Sequence, residues 1–154
     1  MKTVARLLQS KGSDVWIITP DAGVTDALRL MAEKDIGALV VQENERVVGI
    51  VTERDIVRKV TMNGHNGSGM HVRDIMTERV LYVRSDTTIE ECMALMTEKH
   101  LRHLPVFEQD RILGMLSIRD VVADVVAEKS FLIEQLENYI YDIPPHHKSG
   151  VSNA

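Results

Sequence analysis

Two segments of the sequence combine a hydroxyl, an arginine and a carboxylate at one fixed spacing. Residues 49–55 and 114–120 both read Gly-x-x-Thr/Ser-x-Arg-Asp. In the first segment an apolar run predicts a strand, and Thr52 then predicts the start of a helix. A helix start presents unpaired backbone amides that suit a phosphate, to which the hydroxyl of Thr52 could also donate. The carboxylate of Asp55 instead suits the two hydroxyls of a ribose, so the set indicates a ribose phosphate.

A capping box is the alternative interpretation of the same residues. In a capping box, the Thr52 and Asp55 side chains would satisfy only the amides of their own helix end. For a single occurrence we favour the cap, because such boxes are common at helix starts. The recurrence at Ser117 and Asp120 shifts the balance towards a ligand site, since a whole repeat comes with it.

The chain contains an internal repeat. Aligning residues 19–57 with residues 84–122 without a gap gives 13 identities in 39 positions. In each copy a short strand pattern, at residues 15–18 or 80–83, precedes a helical apolar pattern, and two further strand patterns joined by a polar hairpin follow. The helix of the first copy places Val24, Ala27, Leu28 and Met31 on its apolar face, and we expect the matching positions of the second copy to be packed as well.

The repeat predicts an α+β fold. Two β-α-β-β-α repeats pack sheet to sheet about a pseudo-twofold axis, and an extra C-terminal helix is added. Each copy is too short to bury a good core alone, so the pair is the folding unit. We predict repeat 1 at residues 1–62, a linker at 63–71 whose glycine-rich part cannot pack, and repeat 2 at 72–125. Residues 126–143 complete a C-terminal helix that either folds back or contacts another chain, and residues 144–154 form a disordered tail.

Composition restricts the classes of function. An apolar share of 44% and a charged share of 27% are ordinary for a globular protein. A net charge of −5 and an aromatic share of 4% argue against nucleic-acid binding. No apolar run approaches transmembrane length, so we expect no membrane association and a cytoplasmic protein. The single cysteine, Cys92, is expected to be a packed, inert thiol.

Metal binding and catalysis receive little support. His100 and His103 are three residues apart, but no second cluster lies at zinc spacing, so we expect no metal site. Ser117 has no evident base or acid partner, and the common phosphate-loop and hydrolase motifs do not occur. We therefore expect that the protein is not an enzyme and that it uses no catalytic cofactor.

The two blocks resemble a tandem pair of CBS domains, known as a Bateman module, over about residues 1–125. The resemblance rests on the Gly-x-x-Thr/Ser-x-x-Asp ending and on the preceding helix-and-strand segments, residues 30–41 and 95–106, each present twice in the same order. It implies a regulatory module without catalytic chemistry that binds adenosine compounds in clefts between the repeats. AMP is the first expectation, with ADP, ATP, NAD or S-adenosylmethionine as the other ligands of the family. The chain resembles stand-alone members, so its output is expected to be its own oligomer, a homodimer, or an unidentified regulated protein.

The resemblance also assigns roles to individual residues. Thr52 and Ser117 would contact phosphate, and Asp55 and Asp120 would contact ribose hydroxyls. Arg54 and Arg119 could add phosphate contacts or be solvated charges. The adenine would be held by two further sets of residues, namely Ile18, Thr19, Pro20, Gly37 and Ala38, and Val83, Arg84, Arg102, His103, Leu104 and Pro105.

The two copies depart from the family pattern at different places. The first copy lacks the usual proline, because Val40 stands where Pro105 stands in the second copy. In the second copy Arg84 replaces the threonine found at Thr19. We therefore expect the two sites to differ in affinity or ligand. The alternative function is a structural or scaffolding homodimer whose clefts bind no ligand.

Overall fold

The computed structural model describes residues 2–128, and those up to Val121 form one compact unit. The first repeat contains β1 (Ile17–Ile18), α2 (Val24–Lys34), β2 (Ala38–Glu43), β3 (Arg46–Thr52) and α3 (Glu53–Lys59), preceded by α1 (Val4–Lys11). A short 3-10 turn (Thr61–Asn63) follows. The second repeat contains α5 (Ile89–Lys99), β4 (His103–Glu108), β5 (Arg111–Ser117) and α6 (Ile118–Ala127), preceded by α4 (Val72–Ile75). The predicted α+β fold of two similar repeats is confirmed.

Each repeat is built on an antiparallel hairpin, β2–β3 or β4–β5. In the first repeat, β1 adds a parallel edge in which Ile17 pairs with Val40 and Ile18 with Val41. The prediction of a strand at residues 80–83 is wrong. Of these residues only Val83 makes the equivalent parallel bridge, to Val106. The amide of Val83 donates to the carbonyl of Pro105, and its carbonyl accepts from the amide of Phe107. The parallel pairing found at β1 is therefore kept at Val83.

The first repeat's core includes residues from outside that repeat. Its buried cluster contains side chains from α2, β2, β3 and α3, and it also contains Val72 and Ile75 of α4. The amide of Val24 donates to the carbonyl of Met70, and the amide of Val72 donates to the carbonyl of Ala22. The helix before the second repeat therefore completes the core of the first.

The helix α1 in turn packs on the second repeat, so the two repeats exchange their preceding helices. The amides of Val4 and Ala5 in α1 donate to the carbonyls of Thr87 and Ser85 in the second repeat. Two equivalent bridges mark the contacts, one between Thr3 and Thr88 and one between Gly23 and His71. Such paired contacts are what a pseudo-twofold relation between the repeats requires. The sequence order places each helix with the repeat that follows it, whereas in space each helix packs on the other repeat.

Two equivalent glycines make room for the exchanged segments. A Cβ atom at Gly49 would lie 2.8 Å from the carbonyl oxygen of Thr77, which follows α4. A Cβ atom at Gly114 would lie 2.8 Å from Cδ2 of Leu8 in α1. Thr77 also exchanges two backbone hydrogen bonds with Ile50 and so extends the edge of β3. The glycine of the recurring motif is therefore a packing requirement.

The glycine-rich stretch after α3 differs from its prediction. We expected that it cannot pack, yet Gly67 is buried and lies against Val24 and Val60. The amide of Met70 donates to the carbonyl of Gly67, and the Met70 side chain packs on the core of the first repeat. The positive φ of 85° at Gly67 explains why glycine is needed there, since side chains rarely adopt that conformation.

The apolar helix faces are narrower than the sequence predicts. Leu28 of α2 is 40% exposed and Met93 of α5 is 38% exposed, although both were expected to be packed. Cys92 is fully buried, as expected. Its burial, and to a smaller extent the negative charge of Glu91, raise the pKa of the thiol to about 11. The thiol is therefore protonated and inert near neutral pH. The predicted C-terminal helix lies mostly outside the described residues, as does the predicted tail.

Candidate functional site: two clefts between the repeats

Both hydroxyl–carboxylate pairs form capping boxes. The amide of Asp55 donates to Thr52 Oγ1 at 3.1 Å, and the amide of Thr52 donates to Asp55 Oδ2 at 3.0 Å. The second pair repeats this geometry, with 3.1 Å from the amide of Asp120 to Ser117 Oγ and 2.8 Å from the amide of Ser117 to Asp120 Oδ2. The cap interpretation is therefore correct for both pairs.

The helix starts have fewer available amides than the sequence suggests. The amide of Glu53 donates to the carbonyl of Gly37 at 3.0 Å, and the amide of Ile118 donates to the carbonyl of Arg102 at 2.8 Å. With the amides of the two aspartates also occupied, little of either helix start remains to bind a phosphate. Phosphate binding would therefore depend mainly on side chains.

The capping pairs nevertheless line two separate clefts. The Thr52 cleft encloses about 460 Å³ and contains Thr52, Asp55, Thr77 and His103. Its charged residues comprise five cations and two carboxylates, namely Arg54, Arg58, Arg79, Lys99, Arg102, Glu53 and Asp55. Residues from both repeats form its walls, so a ligand bound there would contact both.

The Ser117 cleft encloses about 410 Å³ and contains Ser117, Asp120, Trp16 and His103. Its charged residues comprise three cations and four carboxylates, namely Lys11, Arg102, Arg119, Asp14, Asp35, Glu53 and Asp120. Gly37, Glu53, Arg102 and His103 line both clefts and form the wall between them. The two clefts are thus adjacent but chemically different.

Most of the predicted site residues lie in these clefts. The Ser117 cleft is lined by Gly37, Ala38, Arg102, His103, Ser117, Arg119 and Asp120, and the Thr52 cleft by Gly37, Thr52, Arg54, Asp55, Arg102, His103 and Pro105. The remaining predicted residues line neither cleft. Ile18, Val83 and Leu104 are core residues, Thr19 is exposed, Pro20 is buried, and Arg84 lines a third cavity beside Tyr82 and Phe107.

Sequence reasoning missed cleft residues that lie outside the recurring motif. Lys11 at the end of α1 and Trp16 before β1 line the Ser117 cleft, and Thr77 and Arg79 after α4 line the Thr52 cleft. A usable signal for Trp16 was its occurrence as the sole tryptophan, within the strand predicted at residues 15–18. For Lys11 and Thr77 no local signal exists, because the exchange alone places them there.

The Asp120 carboxylate is held ionised. Burial raises its pKa, but hydrogen bonds from the Lys11 ammonium at 2.6 Å and from Ser117 outweigh that effect, so the pKa is lowered. Both bonds reach Oδ2. Within the described part of the chain, Oδ1 of Asp120 accepts no hydrogen bond, so a bound hydroxyl could donate to it directly.

The Asp55 carboxylate has both oxygens occupied. Oδ2 accepts the amide and the hydroxyl of Thr52, at 3.0 and 3.2 Å. Oδ1 accepts the Thr77 hydroxyl at 3.2 Å and lies 3.1 Å from the Lys59 ammonium. A ribose at Asp55 would have to displace one of these internal partners, so the two carboxylates differ in availability.

The histidine between the clefts is mostly neutral at neutral pH. Burial lowers the pKa of His103, and the positive charges of Arg102, Arg54 and Lys11 lower it further, against the opposing charge of Asp120. Its ring also lies close to the backbone of Gly37, since a Cβ there would be 3.2 Å from His103 Cε1. A neutral imidazole can both donate to and accept from a ligand in either cleft.

This histidine predicts a pH dependence of stability. As the pH falls through the ordinary pKa of 6.5, the unfolded chain takes up the His103 proton at a higher pH than the folded chain does, so the free energy of unfolding falls as the pH falls. We expect the midpoint of thermal unfolding to drop between about pH 7 and pH 5, and to drop less in the His103→Gln variant. A His65→Gln variant, altered in an exposed loop, should retain the full drop; an equal drop in His103→Gln would contradict the assignment.

Residues 2–128 contain no grouping of histidine, cysteine, aspartate or glutamate side chains that could hold a metal ion. In the same residues, no helix has the length and apolar character needed to cross a membrane.

Comparison with known proteins identifies the repeat. The family model for the CBS domain matches residues 8–61 and again residues 72–127. Among curated proteins, the mitochondrial CBS domain-containing protein CBSX3 of Arabidopsis thaliana is 37% identical over 148 residues, which cover 90% of this chain and 71% of that protein.

Two solved structures have the same fold. A protein with CBS domains from Burkholderia ambifaria MC40-6, provisionally described as a signal-transduction protein, is 44% identical with a TM-score of 0.79, over 82% of this chain and 95% of that one. CBSX2, crystallised in complex with AMP, is 28% identical with a TM-score of 0.67, over 84% of this chain and 99% of that one.

Proposed function

This chain belongs to the CBS-domain family, a family of non-catalytic regulatory proteins, as a pair of CBS repeats, and from that premise we propose that it binds an adenine nucleotide and transmits its presence to an oligomer or a partner protein. AMP is the ligand that we propose first, with ADP, ATP and NAD as alternatives. The nucleotide acts as a regulatory ligand, and no catalytic cofactor is part of the proposal.

The observation that carries this proposal is the composition of the Ser117 cleft. An ionised carboxylate with one open oxygen, at Asp120, shares a cavity of about 410 Å³ with Ser117, Arg119 and Arg102. A carboxylate accepts the two hydroxyls of a ribose, and arginine side chains suit a phosphate. The complex of the similar protein CBSX2 with AMP supports the same ligand class.

A ligand in this cleft would contact both repeats and one exchanged helix. Gly37 and Glu53 belong to the first repeat, Ser117 and Asp120 to the second, and Lys11 ends α1. A ribose hydroxyl on the open oxygen Oδ1 of Asp120 would share this carboxylate with Lys11, whose ammonium is bonded to Oδ2 and to the carbonyl of Met115. A ligand shifts a conformational equilibrium only by its differential affinity for the two states. The Lys11 contact is a place where that difference can arise.

We propose a homodimer as the first output. Leu28 of α2 and Met93 of α5 occupy equivalent positions, and both are more than a third exposed. Val57 of α3 adds a third apolar side chain, 53% exposed. Exposed apolar side chains at repeated positions favour a surface that a second copy covers. Sedimentation analysis with and without AMP measures whether the assembly responds to the ligand.

A cytoplasmic location stays a prediction. The relative CBSX3 is named as a mitochondrial protein, so cell fractionation is needed to distinguish the two compartments.

Thermal unfolding of the full chain with AMP, ATP, NAD or S-adenosylmethionine tests the proposal. A ligand at about a hundred times its dissociation constant adds roughly 2.7 kcal/mol of stability, which raises the midpoint by several degrees. A shift with AMP supports nucleotide binding. A midpoint that none of the four ligands moves favours the scaffolding homodimer instead, because both capping boxes would then serve only their helices.

A further inference from the structure

We propose that the two clefts select nucleotides of different charge: the Thr52 cleft takes a nucleoside di- or triphosphate, and the Ser117 cleft takes a nucleoside monophosphate. This inference rests on the proposed function, since it assigns a ligand class to each cleft of the same site. It follows from the charges of the clefts, the availability of their carboxylates and the pairing of their cations.

The clefts differ by four units of formal charge. The Thr52 cleft has five cations and two carboxylates, a net charge of +3. The Ser117 cleft has three cations and four carboxylates, a net charge of −1. Glu53 and Arg102 line both clefts and cancel each other, so the difference comes from residues that only one cleft contains. Each additional phosphate group adds negative charge to the ligand and favours the Thr52 cleft.

Three of the five cations of the Thr52 cleft are available to a ligand, whereas Lys99 lies 3.6 Å from the carboxylate of Glu98. Across residues 2–128, Arg58, Arg79 and Arg102 have no ion-pair partner, and all three are exposed. Arg54 donates to the carbonyl of His100 across the repeats, which fixes its guanidinium within the cleft. Arginine binds phosphate oxygens in pairs through its planar fork of donors. Several such forks around one cavity suit a chain of phosphates better than a single phosphate.

The Ser117 cleft has the opposite character. Lys11, one of its three cations, already forms an ion pair with Asp120 at 2.6 Å. Asp14 and Asp35, two carboxylates that the Thr52 cleft lacks, would repel additional phosphates. The open oxygen of Asp120 favours the ribose end of a nucleotide, whereas Asp55 in the Thr52 cleft has both oxygens occupied. The Ser117 cleft therefore suits a nucleotide with little phosphate charge.

The fluorescence of a single tryptophan can report ligand binding in one of the two clefts. Trp16 is the sole tryptophan, lines the Ser117 cleft and is 37% exposed. It does not line the Thr52 cleft. Tryptophan fluorescence therefore reports binding beside Trp16, and calorimetry reports the binding of ligand to both clefts together.

Parallel titrations of the full chain with AMP and with ATP, followed by calorimetry and by Trp16 fluorescence, test the assignment. The variant is the double substitution Arg58→Ala and Arg79→Ala, and the control is Arg84→Ala, which removes a cation outside both clefts. We expect the double variant to lose about tenfold or more in ATP affinity by calorimetry, and its AMP titration by fluorescence to change by less than about twofold. Raising the salt concentration should weaken ATP binding more than AMP binding.

The outcomes separate this inference from the proposed function. If wild-type protein binds neither nucleotide, the proposed function fails and the inference with it. If both nucleotides bind but the double variant, with an unchanged unfolding midpoint, keeps its ATP affinity, the inference is overturned while the proposed function stands. Equal losses of AMP and ATP affinity in the double variant would also overturn it, because the two clefts would then not discriminate by charge.

Discussion

The Asp120→Asn substitution is expected to weaken AMP binding in the Ser117 cleft by roughly ten- to hundredfold. Hydrogen bonds to a charged group contribute about 1.5–3 kcal/mol, and the amide presents one acceptor oxygen where the carboxylate presents two. The substitution also removes the ion pair with Lys11, so the ammonium no longer holds the side chain in place. Titration of AMP followed by Trp16 fluorescence measures the affinity.

The matched control is Asp55→Asn, because Asp55 occupies the same position in the other capping box. Both variants disturb a helix start in a similar way, but only Asp120 lies beside Trp16 in the Ser117 cleft. We expect Asp55→Asn to leave the AMP titration at Trp16 nearly unchanged. Equal weakening by the two substitutions would contradict the role of Asp120 and would indicate a shared effect on folding.

The Gly49→Ala substitution is expected to destabilise the fold by about 1–3 kcal/mol. The new Cβ would lie 2.8 Å from the backbone carbonyl oxygen of Thr77 and 3.1 Å from the sulfur of Met76, so the segment after α4 must move. That segment completes the first repeat and supplies Thr77 to the Thr52 cleft. Thermal unfolding should show a midpoint lower by several degrees.

The Gly114→Ala substitution is the matched control for this effect. Its new Cβ would meet Cδ2 of Leu8 at 2.8 Å, which is the flexible end of a side chain. A rotation of Leu8 can relieve that contact more cheaply than a backbone shift can, so we expect a smaller decrease of the midpoint. A Gly114→Ala variant less stable than Gly49→Ala would show that the backbone contact at Thr77 is not the limiting one.

The repeat and its elements could be predicted because their signals are local. Apolar periodicity, the threonine and serine caps and the polar hairpins each lie within a few residues, and α2, α5 and both hairpins form where those signals place them. The strand predicted at residues 80–83 does not form, since its parallel pairing with β4 is limited to Val83. Leu28 and Met93 fit the apolar helix pattern, yet the described fold leaves both partly exposed.

The exchange of α1 and α4 could not be predicted from local signals. Each helix precedes its own repeat in sequence and has the same apolar pattern as the other, so either pairing satisfies the pattern. The choice decides which residues reach each cleft: Lys11 enters the Ser117 cleft, and Thr77 and Arg79 enter the Thr52 cleft. The motif residues line the clefts, and their different surroundings come in part from these distant segments.

The two interpretations of the recurring motif turn out to be compatible. Thr52 and Asp55 form a cap, and so do Ser117 and Asp120, yet both pairs also line clefts. The cap fixes the carboxylate at the cleft wall through a backbone amide, which leaves part of the carboxylate for other partners. At Asp120 one oxygen stays open, whereas at Asp55 the Thr77 hydroxyl and the Lys59 ammonium occupy it.

The most direct test of nucleotide binding is a crystal structure of the full chain grown with AMP. We predict AMP in the Ser117 cleft, with its ribose hydroxyls donating to Asp120 and its phosphate near Arg119 or Arg102. Crystals grown at AMP concentrations that saturate any measured binding, but with that cleft empty and AMP elsewhere or absent, would contradict this assignment.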